Sequence, residues 1–374
     1  MTAVDPFAAG TLTDSNDMMH TLDELVESRI AAGYFPGAVV AVGCGDGCHL
    51  LKAYGHAQVK PRRVAMQQDT LFDIESVTKV ATLSSALAIL IEEGEIDLEK
   101  PAKAYLAGLR GRGSERVLVR HLVTHTSGYR WQRVLGHGRV LEPEEEEDLF
   151  AKLLTMDLNG EPGTRFNYSN RGAILAGMIV EEVAGVPLGE FCAERVFEPL
   201  GMTATRFGPV PAEDGVAASR SSVVGRSANE DVLNAHRPIG TTGLFSSAID
   251  LDRYCRFWLN RGALDNVRLF SESVWKLATS NLSPIEEHRY GLFWMLEPRD
   301  HRPTGMSEKA FGHGGHTGQS IWIDPERNAY TVIMTNRGHP FYIGTDTPGG
   351  RRSVKARAEI GDALLQVAGH GQGS

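Results

Sequence analysis

The sequence predicts an α/β fold combined with an all-α lobe, and three observations support this. Segments rich in aromatic and β-branched residues, separated by turn residues, lie near both ends of the 374-residue chain. Apolar residues at helical spacing dominate the middle. A chain of this length usually forms about two domains. We therefore expect residues 1–75 and 270–374 to form an α/β domain and residues 76–269 to form a mostly helical domain.

The N-terminal region reads as a helix followed by two strands. Thr21-Leu-Asp-Glu24 matches a capping box, which predicts a helix from there to just before Gly33. Residues 37–43 and 49–55 have the composition of strands, and the glycine-rich segment between them predicts a hairpin.

The middle of the chain is predicted to be helical. From Ser76 onward, apolar residues such as Val80, Leu83 and Leu87 recur at helical spacing, and Gly94 supplies a stop. Similar spacing predicts further helices over residues 117–124, 145–154, 171–183, 189–197 and 248–259.

The C-terminal region returns to strands and ends in a helix. Residues 289–295, 319–324 and 329–334 are aromatic or β-branched and have turn residues between them, which predicts three strands. Residues 353–367 carry one apolar face and predict a final helix.

Composition argues against several classes of partner. The 47 acidic residues outnumber the 38 basic ones, and the net charge of −9 disfavours binding to nucleic acid or to an anionic membrane. No apolar run approaches the roughly 18 residues of a membrane span. The first twenty residues lack the basic and apolar regions of a secretory signal, so we expect a cytoplasmic protein. Four scattered cysteines favour free thiols over a disulfide scaffold or a metal site.

Two S-x-x-K sequences occur, and their settings differ. Ser76-Val-Thr-Lys79 lies where the strand-like opening gives way to a periodic helix. Residues three apart on a helix share a face, so the Lys79 amine can reach the Ser76 hydroxyl. A lysine with an ordinary pKa of about 10.4 acts as a base at neutral pH only if burial and the helix dipole lower that pKa. Ser273-Val-Trp-Lys276 has no accompanying polar or glycine-rich motif and predicts a solvated helix face.

Two further motifs could belong to the same site as Ser76. Tyr168-Ser-Asn170 follows a turn-rich stretch, which predicts that the tyrosine lies on a loop. Residues 311–318 are rich in glycine and lead into a predicted strand, where glycines let a substrate approach the backbone closely. Two H-x-G sequences overlap there, His313-Gly-Gly315 and His316-Thr-Gly318. A metal site at these histidines lacks a third ligand at a diagnostic spacing.

Together the three motifs resemble those of the serine β-lactamase and penicillin-binding-protein superfamily. The likeness is to its class C β-lactamase-like serine hydrolases and family VIII carboxylesterases. It covers residues from about 20 to about 340 and includes segments between the motifs, namely Phe35-Pro-Gly-Ala38, Leu122-Val-Thr-His-Thr-Ser-Gly128, Pro199-Leu-Gly-Met202, Gly243-Leu-Phe-Ser-Ser-Ala248 and Tyr290-Gly-Leu. The resemblance implies a β-lactamase-like fold. In that fold an antiparallel sheet is flanked by helices, and the active site lies between the sheet and an inserted helical lobe.

The same resemblance implies a role for each motif residue. Ser76 would be the acylated nucleophile, Lys79 its base, and Tyr168 the group that passes the proton to the leaving group. Asn170 would position Lys79 and a substrate carbonyl. Backbone N–H groups of Ser76 and His316 would hold the oxyanion. His313, Gly314 and Gly315 would form the third motif, which the preceding Phe311-Gly312 and the following strand favour. None of these roles requires a metal or an organic cofactor.

The third motif bears on the substrate. Lactamases of the family usually carry lysine where this chain has His313, and histidine with its ordinary pKa of about 6.5 is mostly neutral above pH 7. A weaker preference for carboxylate substrates follows, so we predict a carboxylesterase acting on small carboxylic esters. The alternatives are a β-lactamase, a penicillin-binding D,D-peptidase or D-aminopeptidase-like hydrolase, an acyltransferase, or a binding domain without turnover.

We predict that two segments, residues 129–142 and 217–242, form part of the walls of the substrate pocket. Trp131, Phe166 and Trp294 are candidates for its apolar lining, with packing in the protein core as the equal alternative.

Overall fold

A computed structural model of the protein describes residues 15–129, 149–219, 223–227, 229–297, 300–340 and 348–370. The helices are α1 (Ser15–Ala31), α2 (Ser85–Glu92), α3 (Val119–Val123), α4 (Leu149–Thr155), α5 (Asn170–Ala184), α6 (Leu188–Cys192), α7 (Glu230–Ala235), α8 (Ala248–Leu259), α9 (Glu272–Ala278) and α10 (Pro348–His370). The strands are β1 (Gly37–Cys44), β2 (Gly47–Gln58), β3 (Val64–Ala65), β4 (Phe72–Asp73), β5 (Arg206–Phe207), β6 (Leu244–Ser246), β7 (Ala263–Leu264), β8 (Val267–Arg268), β9 (Phe311–Gly314), β10 (Ser320–Asp324) and β11 (Ala329–Thr335).

The main sheet has six strands in the order β3-β2-β1-β11-β10-β9, and its neighbouring strands are antiparallel. It unites the two ends of the chain, because β1 pairs directly with β11 and sets Val39 opposite Met334. The predicted N-terminal hairpin and the two predicted strands that became β10 and β11 are confirmed. The predicted antiparallel sheet flanked by helices is therefore confirmed as well.

Both faces of this sheet are covered, which explains why every residue of β1 is buried. Val40 and Val42 of β1 pack with Leu22 of α1 and Leu364 of α10 on one face. Val39 and Ala41, which point the opposite way, join the main core. On that second face α8 lies against β1, β10 and β11.

The helices between β4 and β6 supply a large part of the main core, and further members come from α8, α9 and the segment 292–296. A π-helical turn, Lys79–Ser84, runs straight into α2, and all six of its residues are buried. A small sheet of order β4-β6-β5 lies next to this turn. The proposed division at residues 76–269 stays a prediction, and α8, which falls within that range, packs on the main sheet.

Two local predictions are wrong. Residues 289–295 do not form a strand. They make a tight turn closed by a bridge between Tyr290 and Met295, with Phe293 at a φ of 59°. Gly291 packs so closely on the Ala278 carbonyl that a Cβ atom there would lie 2.0 Å from its oxygen. The capping box is also wrong, because α1 already includes Thr21, whose hydroxyl donates to the carbonyl of Asp17.

Within the described residues, no single helix is long and apolar enough to cross a membrane. One bent pair passes on length and composition when joined, the segments Asn170–Ala184 and Leu188–Phe197, which meet at 80°. The cytoplasmic location stays a prediction.

Candidate active site

Ser76 lies in a sharp turn between β4 and the π-helical turn. Two contacts with the segment around β6 fix this turn: Ile74 N donates to the Leu244 carbonyl at 3.0 Å, and Leu244 N donates to Thr78 Oγ1 at 3.4 Å. Glu75 adopts a φ of 48°, an unusual backbone conformation for a non-glycine residue. Ser76 is half-buried, whereas the residues on either side of it are buried. The turn therefore presents the Ser76 hydroxyl at the edge of the core.

Lys79 is completely buried beside this serine. Its Nζ atom donates to Ser76 Oγ at 3.1 Å and to the carbonyl of Thr241 at 3.1 Å. Burial lowers the pKa of the Lys79 amine from 10.5 to about 7, while the carboxylates of Glu75 and Asp231 act in the opposite direction. A large fraction of the amine is therefore neutral near pH 7, as a general base for Ser76 requires.

Tyr168 faces the same amine. The Lys79 Nζ atom lies 5.0 Å from the centre of the Tyr168 ring. The ring centre of His313 is 6.3 Å from that of Tyr168. Three of the predicted site residues, from distant parts of the sequence, are thus neighbours around Ser76.

Asn170 follows Tyr168 by two residues, and its side-chain oxygen makes no hydrogen bond to Lys79 in the described structure. It is the first residue of α5, directly after Ser169, whose hydroxyl caps that helix by accepting from Gly172 N at 3.1 Å. Asn170 Oδ1 is buried and makes no hydrogen bond within the part of the chain that the structure describes. The Lys79 amine is instead oriented by the Thr241 carbonyl, and the role predicted for Asn170 stays a prediction.

The third motif forms the end of β9 and the turn into β10. His313 is buried, and its Nδ1 atom lies 3.0 Å from the Gly314 carbonyl oxygen. A Cβ atom on Gly315 would lie 2.7 Å from the carbonyl oxygen of Ile74, so glycine permits the turn to reach the segment before Ser76. His316 is half-buried, and its carbonyl accepts from Arg337 Nε at 2.8 Å. This placement favours the His313-Gly-Gly315 alignment over the overlapping one.

The three residues predicted to line the substrate pocket lie in different places. Trp294 is fully buried, and its ring centre lies 5.0 Å from those of Trp258 and Phe311, so it belongs to the core. Phe166 is half-buried and stacks on His288 with ring centres 4.1 Å apart. Trp131 lies outside the described residues, as does most of the segment 129–142.

Part of the other predicted wall, residues 217–242, does line a cavity. Thr242 and Gly243 border a cavity of about 350 Å³, whose other lining residues lie within 207–209 and 226–239. Thr242 also donates to Glu75 Oε2 at 3.1 Å, so one residue of the cavity wall is hydrogen-bonded to the residue directly before Ser76.

Sequence reasoning missed two contributors to the site. The Thr241 carbonyl orients Lys79, but a backbone acceptor leaves no signature in the sequence. His125 is buried, and its ring centre lies 4.3 Å from that of Tyr168. Its only signal was its place within the segment 122–128 that carried the family resemblance.

No group of three or more His, Cys, Asp or Glu side chains within the described ranges could hold a metal ion. The four cysteines are free, and Cys44 lies 3.3 Å from His49 Nε2. The chemistry that the site offers is that of a serine with a buried amine as its base, which is the arrangement of covalent acyl transfer.

Comparison with known proteins agrees with this geometry. The family model "Beta-lactamase" matches residues 22–351. The N-acetylmuramyl-L-alanine amidase of Bacillus subtilis (strain 168) is 28% identical over 88% of this chain and 83% of its own. The solved structure of EstCE1, a hydrolase with promiscuous acyltransferase activity, superposes with a TM-score of 0.74 at 19% identity, covering 94% of this chain and 99% of its own. A family VIII carboxylesterase gives a TM-score of 0.69 at 20% identity, covering 92% and 97%. The chain therefore belongs to the Beta-lactamase family and is a serine hydrolase.

Proposed function

We propose that this serine hydrolase cleaves small carboxylic esters through an acyl-enzyme at Ser76. The observation that carries the proposal is the completely buried Lys79 amine, 3.1 Å from Ser76 Oγ, with its pKa lowered to about 7 by burial. A serine hydroxyl is a weak nucleophile until a neighbouring base removes its proton. Here the base is already in hydrogen-bond contact with the hydroxyl and is partly neutral at physiological pH.

The proposed reaction has two halves. Lys79 accepts the proton as Ser76 Oγ attacks the ester carbonyl carbon, and the backbone N–H groups of Ser76 and His316 hold the resulting oxyanion. As the carbon–oxygen bond of the ester breaks, Tyr168 donates a proton to the departing alkoxide and recovers one from Lys79. In the second half, Lys79 takes a proton from water as that water attacks the acyl carbon. The bond between the acyl carbon and Ser76 Oγ then breaks, Lys79 returns the proton to Oγ, and the carboxylic acid leaves with Ser76 restored.

The preference for esters rests on the third motif. His313 is buried beside Tyr168 and occupies the place where lactamases of the family usually carry a lysine. A buried imidazole offers a weaker attraction to a substrate carboxylate than a permanent ammonium group does. Neutral esters, which need no such attraction, therefore suit the site better than β-lactams or peptides that end in a carboxylate.

A second candidate function is hydrolysis of amides, including D-peptides and β-lactams. The relative named as an amidase favours it, because that protein shares 28% of its residues with this chain across most of both lengths. An amide needs a protonated leaving group more than an activated ester does, so this candidate makes a stronger demand on Tyr168.

The deciding experiment compares p-nitrophenyl butyrate hydrolysis by the wild-type protein, Ser76→Ala and Ser273→Ala. We expect robust turnover in the wild type, loss to background in Ser76→Ala, and wild-type rates in Ser273→Ala, the serine of the second S-x-x-K sequence. Turnover that survives Ser76→Ala would disprove the nucleophile assignment. No turnover in any protein would count against small carboxylic esters and direct the search to lactams, D-peptides or a role without catalysis.

Two further assays separate the remaining candidates. Persistent covalent labelling of Ser76 by a penicillin, located by mass spectrometry, would favour the amide and lactam chemistry. An added alcohol that accelerates ester consumption without accelerating release of the acid would show acyl transfer to that alcohol instead of hydrolysis.

A further inference from the structure

The residues on both sides of Tyr168 are hydrogen-bonded to one residue, His125. The amide of Asn167 donates to the His125 carbonyl at 2.8 Å. The amide of Ser169 donates to the His125 ring atom Nδ1 at 3.1 Å. The backbone before Tyr168 and the backbone after it are therefore both fixed by His125.

The His125 ring also contacts the phenol itself. Its ring centre is 4.3 Å from that of Tyr168, with 31° between the planes. On its other sides the imidazole meets Tyr290 and Phe293 edge to face, with ring centres 5.2 and 5.6 Å away. Such packing leaves the imidazole, and with it the phenol, little freedom to rotate.

The loop that carries Tyr168 is hydrogen-bonded to the backbone of residues 125–128 at several points along its length. Asn159 N donates to the Gly128 carbonyl at 2.9 Å, and Gly163 N donates to the Thr126 carbonyl at 2.8 Å. Gly128 packs so tightly that a Cβ atom on it would lie 2.3 Å from the Gly160 carbonyl oxygen. Residues 159–169 and 125–128 thus lie side by side, and the His125 contacts form the end nearest Lys79.

His125 adopts a backbone conformation that costs free energy. Its φ is 58°, in the left-handed region that few non-glycine residues occupy. Such strain persists where the surrounding contacts require it. Here the conformation lets one residue accept two hydrogen bonds, from Asn167 N at its carbonyl and from Ser169 N at its ring.

We propose that His125 is a positioning residue for Tyr168, holding the phenol beside the Lys79 amine through the two amide hydrogen bonds and the ring contact. The inference rests on the proposed function, in which Tyr168 protonates the leaving group. These contacts of His125 reach the ring of Tyr168 and the backbone on both sides of it, so His125 acts on the reaction through Tyr168.

The test uses three variants that separate the contacts of His125. His125→Phe keeps a ring of similar size but has no acceptor for Ser169 N–H. His125→Asn keeps an acceptor near the position of Nδ1, tolerates the left-handed backbone, and loses the ring. His121→Asn is the matched control, because His121 Nδ1 also accepts a backbone amide, that of Leu118 at 3.2 Å, at the start of α3.

The readout is the dependence of rate on the leaving group. p-Nitrophenolate departs without a proton, whereas the alkoxide of ethyl butyrate requires one. Because both esters form the same butyryl-enzyme, the leaving-group step is read from kcat/KM. We expect His125→Phe to lower kcat/KM for ethyl butyrate on the order of 100-fold, as a misplacement near 1 Å does, with a much smaller loss for p-nitrophenyl butyrate. His125→Asn should recover part of the loss, and His121→Asn should reduce both substrates equally or not at all. Equal losses on the two esters in His125→Phe would overturn the proposal.

A crystal structure of each variant makes the test independent of turnover. In His125→Phe we expect the Tyr168 ring to move away from its 5.0 Å separation from Lys79 Nζ. An unmoved Tyr168 would overturn the proposal even if the activity fell. If the wild type does not hydrolyse esters, the proposed function fails, and the crystal structures alone then confirm or refute the position predicted for Tyr168.

Discussion

The two S-x-x-K sequences of this chain have opposite environments. In the first, the Lys79 side chain is 0% exposed and its amine donates to Ser76 Oγ. In the second, the Lys276 side chain is 66% exposed and lies 3.3 Å from Glu272 Oε1. The same four-residue pattern therefore gives a half-buried serine hydrogen-bonded to a buried lysine in one place and a solvated helix face in the other.

The local backbone explains the difference. Before Lys79 the chain makes a sharp turn at Glu75, and the lysine opens a π-helical turn packed into the core. Lys276 lies instead within α9, where Val274 and Trp275 face inward and the lysine faces outward. Spacing brings a serine and a lysine to one face of a helix, but burial of that face decides whether the lysine can act as a base.

The largest expected effect comes from removing each lysine in turn. Lys79→Met should lower kcat/KM for p-nitrophenyl butyrate by about 10² to 10⁴-fold, the usual contribution of a general base. Lys276→Met should stay within about twofold of the wild type, since exposed side chains away from the site contribute little. Equal effects of the two substitutions would remove the distinction between the two sequences.

The same pair should differ in the pH dependence of stability. The Lys79 amine has a pKa of about 7 in the folded protein and 10.5 as its ordinary value, so between these values the unfolded chain binds the extra proton. Stability should therefore rise with pH in that interval, and the cost of burying the charge is fully present below it. From pH 7 to pH 9 the free energy of unfolding of the wild type should gain roughly 2 kcal/mol relative to Lys79→Met.

Urea denaturation of the wild type, Lys79→Met and Lys276→Met at several pH values measures this difference. Lys276→Met should follow the wild type throughout. A constant difference between the wild type and Lys79→Met across this pH range would mean that Lys79 keeps its ordinary pKa in the folded protein.

How far the sequence could predict the site depends on the kind of contact. The Ser76–Lys79 contact is local, so the spacing of the two residues and the helical spacing of Val80, Leu83 and Leu87 predict it. Thr241, whose carbonyl orients Lys79, lies 162 positions further along the chain. A contact of this kind follows from the packing of β4 and β6, and any residue type can supply the carbonyl.

The wrong strand at 289–295 has a related cause. Its aromatic residues favour a strand by composition, but their burial comes from a different geometry, in which Phe293 turns back at a φ of 59° and Trp294 enters the core. The composition of a segment indicates that it is buried. Its backbone conformation, here a turn, depends on tertiary contacts such as the close packing of Gly291 on Ala278.

The pH dependence of the rate distinguishes the two lysines in a third way. Because the proposed base must be neutral, kcat/KM should fall about tenfold for each pH unit below pH 7 and reach a plateau above it. Glu75 and Asp231 raise the pKa of Lys79, so in Glu75→Gln the fall in kcat/KM should begin at a lower pH. In Lys276→Met the fall should begin at the same pH as in the wild type. A kcat/KM that keeps rising to pH 10 would mean that the base is a lysine with an ordinary pKa.

The smallest effect concerns the polar residues around the second S-x-x-K sequence. Ser271 caps α9 by accepting from Val274 N at 3.4 Å, and its hydroxyl donates to Glu92 Oε2 at 2.6 Å. Ser271→Ala should therefore lower the free energy of unfolding by about 1 kcal/mol, as the loss of a helix cap does, with kcat/KM unchanged. Ser273→Ala, which removes an exposed hydroxyl, should cost less. This outcome would assign the polar residues around the second S-x-x-K sequence to the stability of α9. A fall in kcat/KM without a change in stability would instead connect α9 to the active site, because a cap acts on catalysis only through the fold.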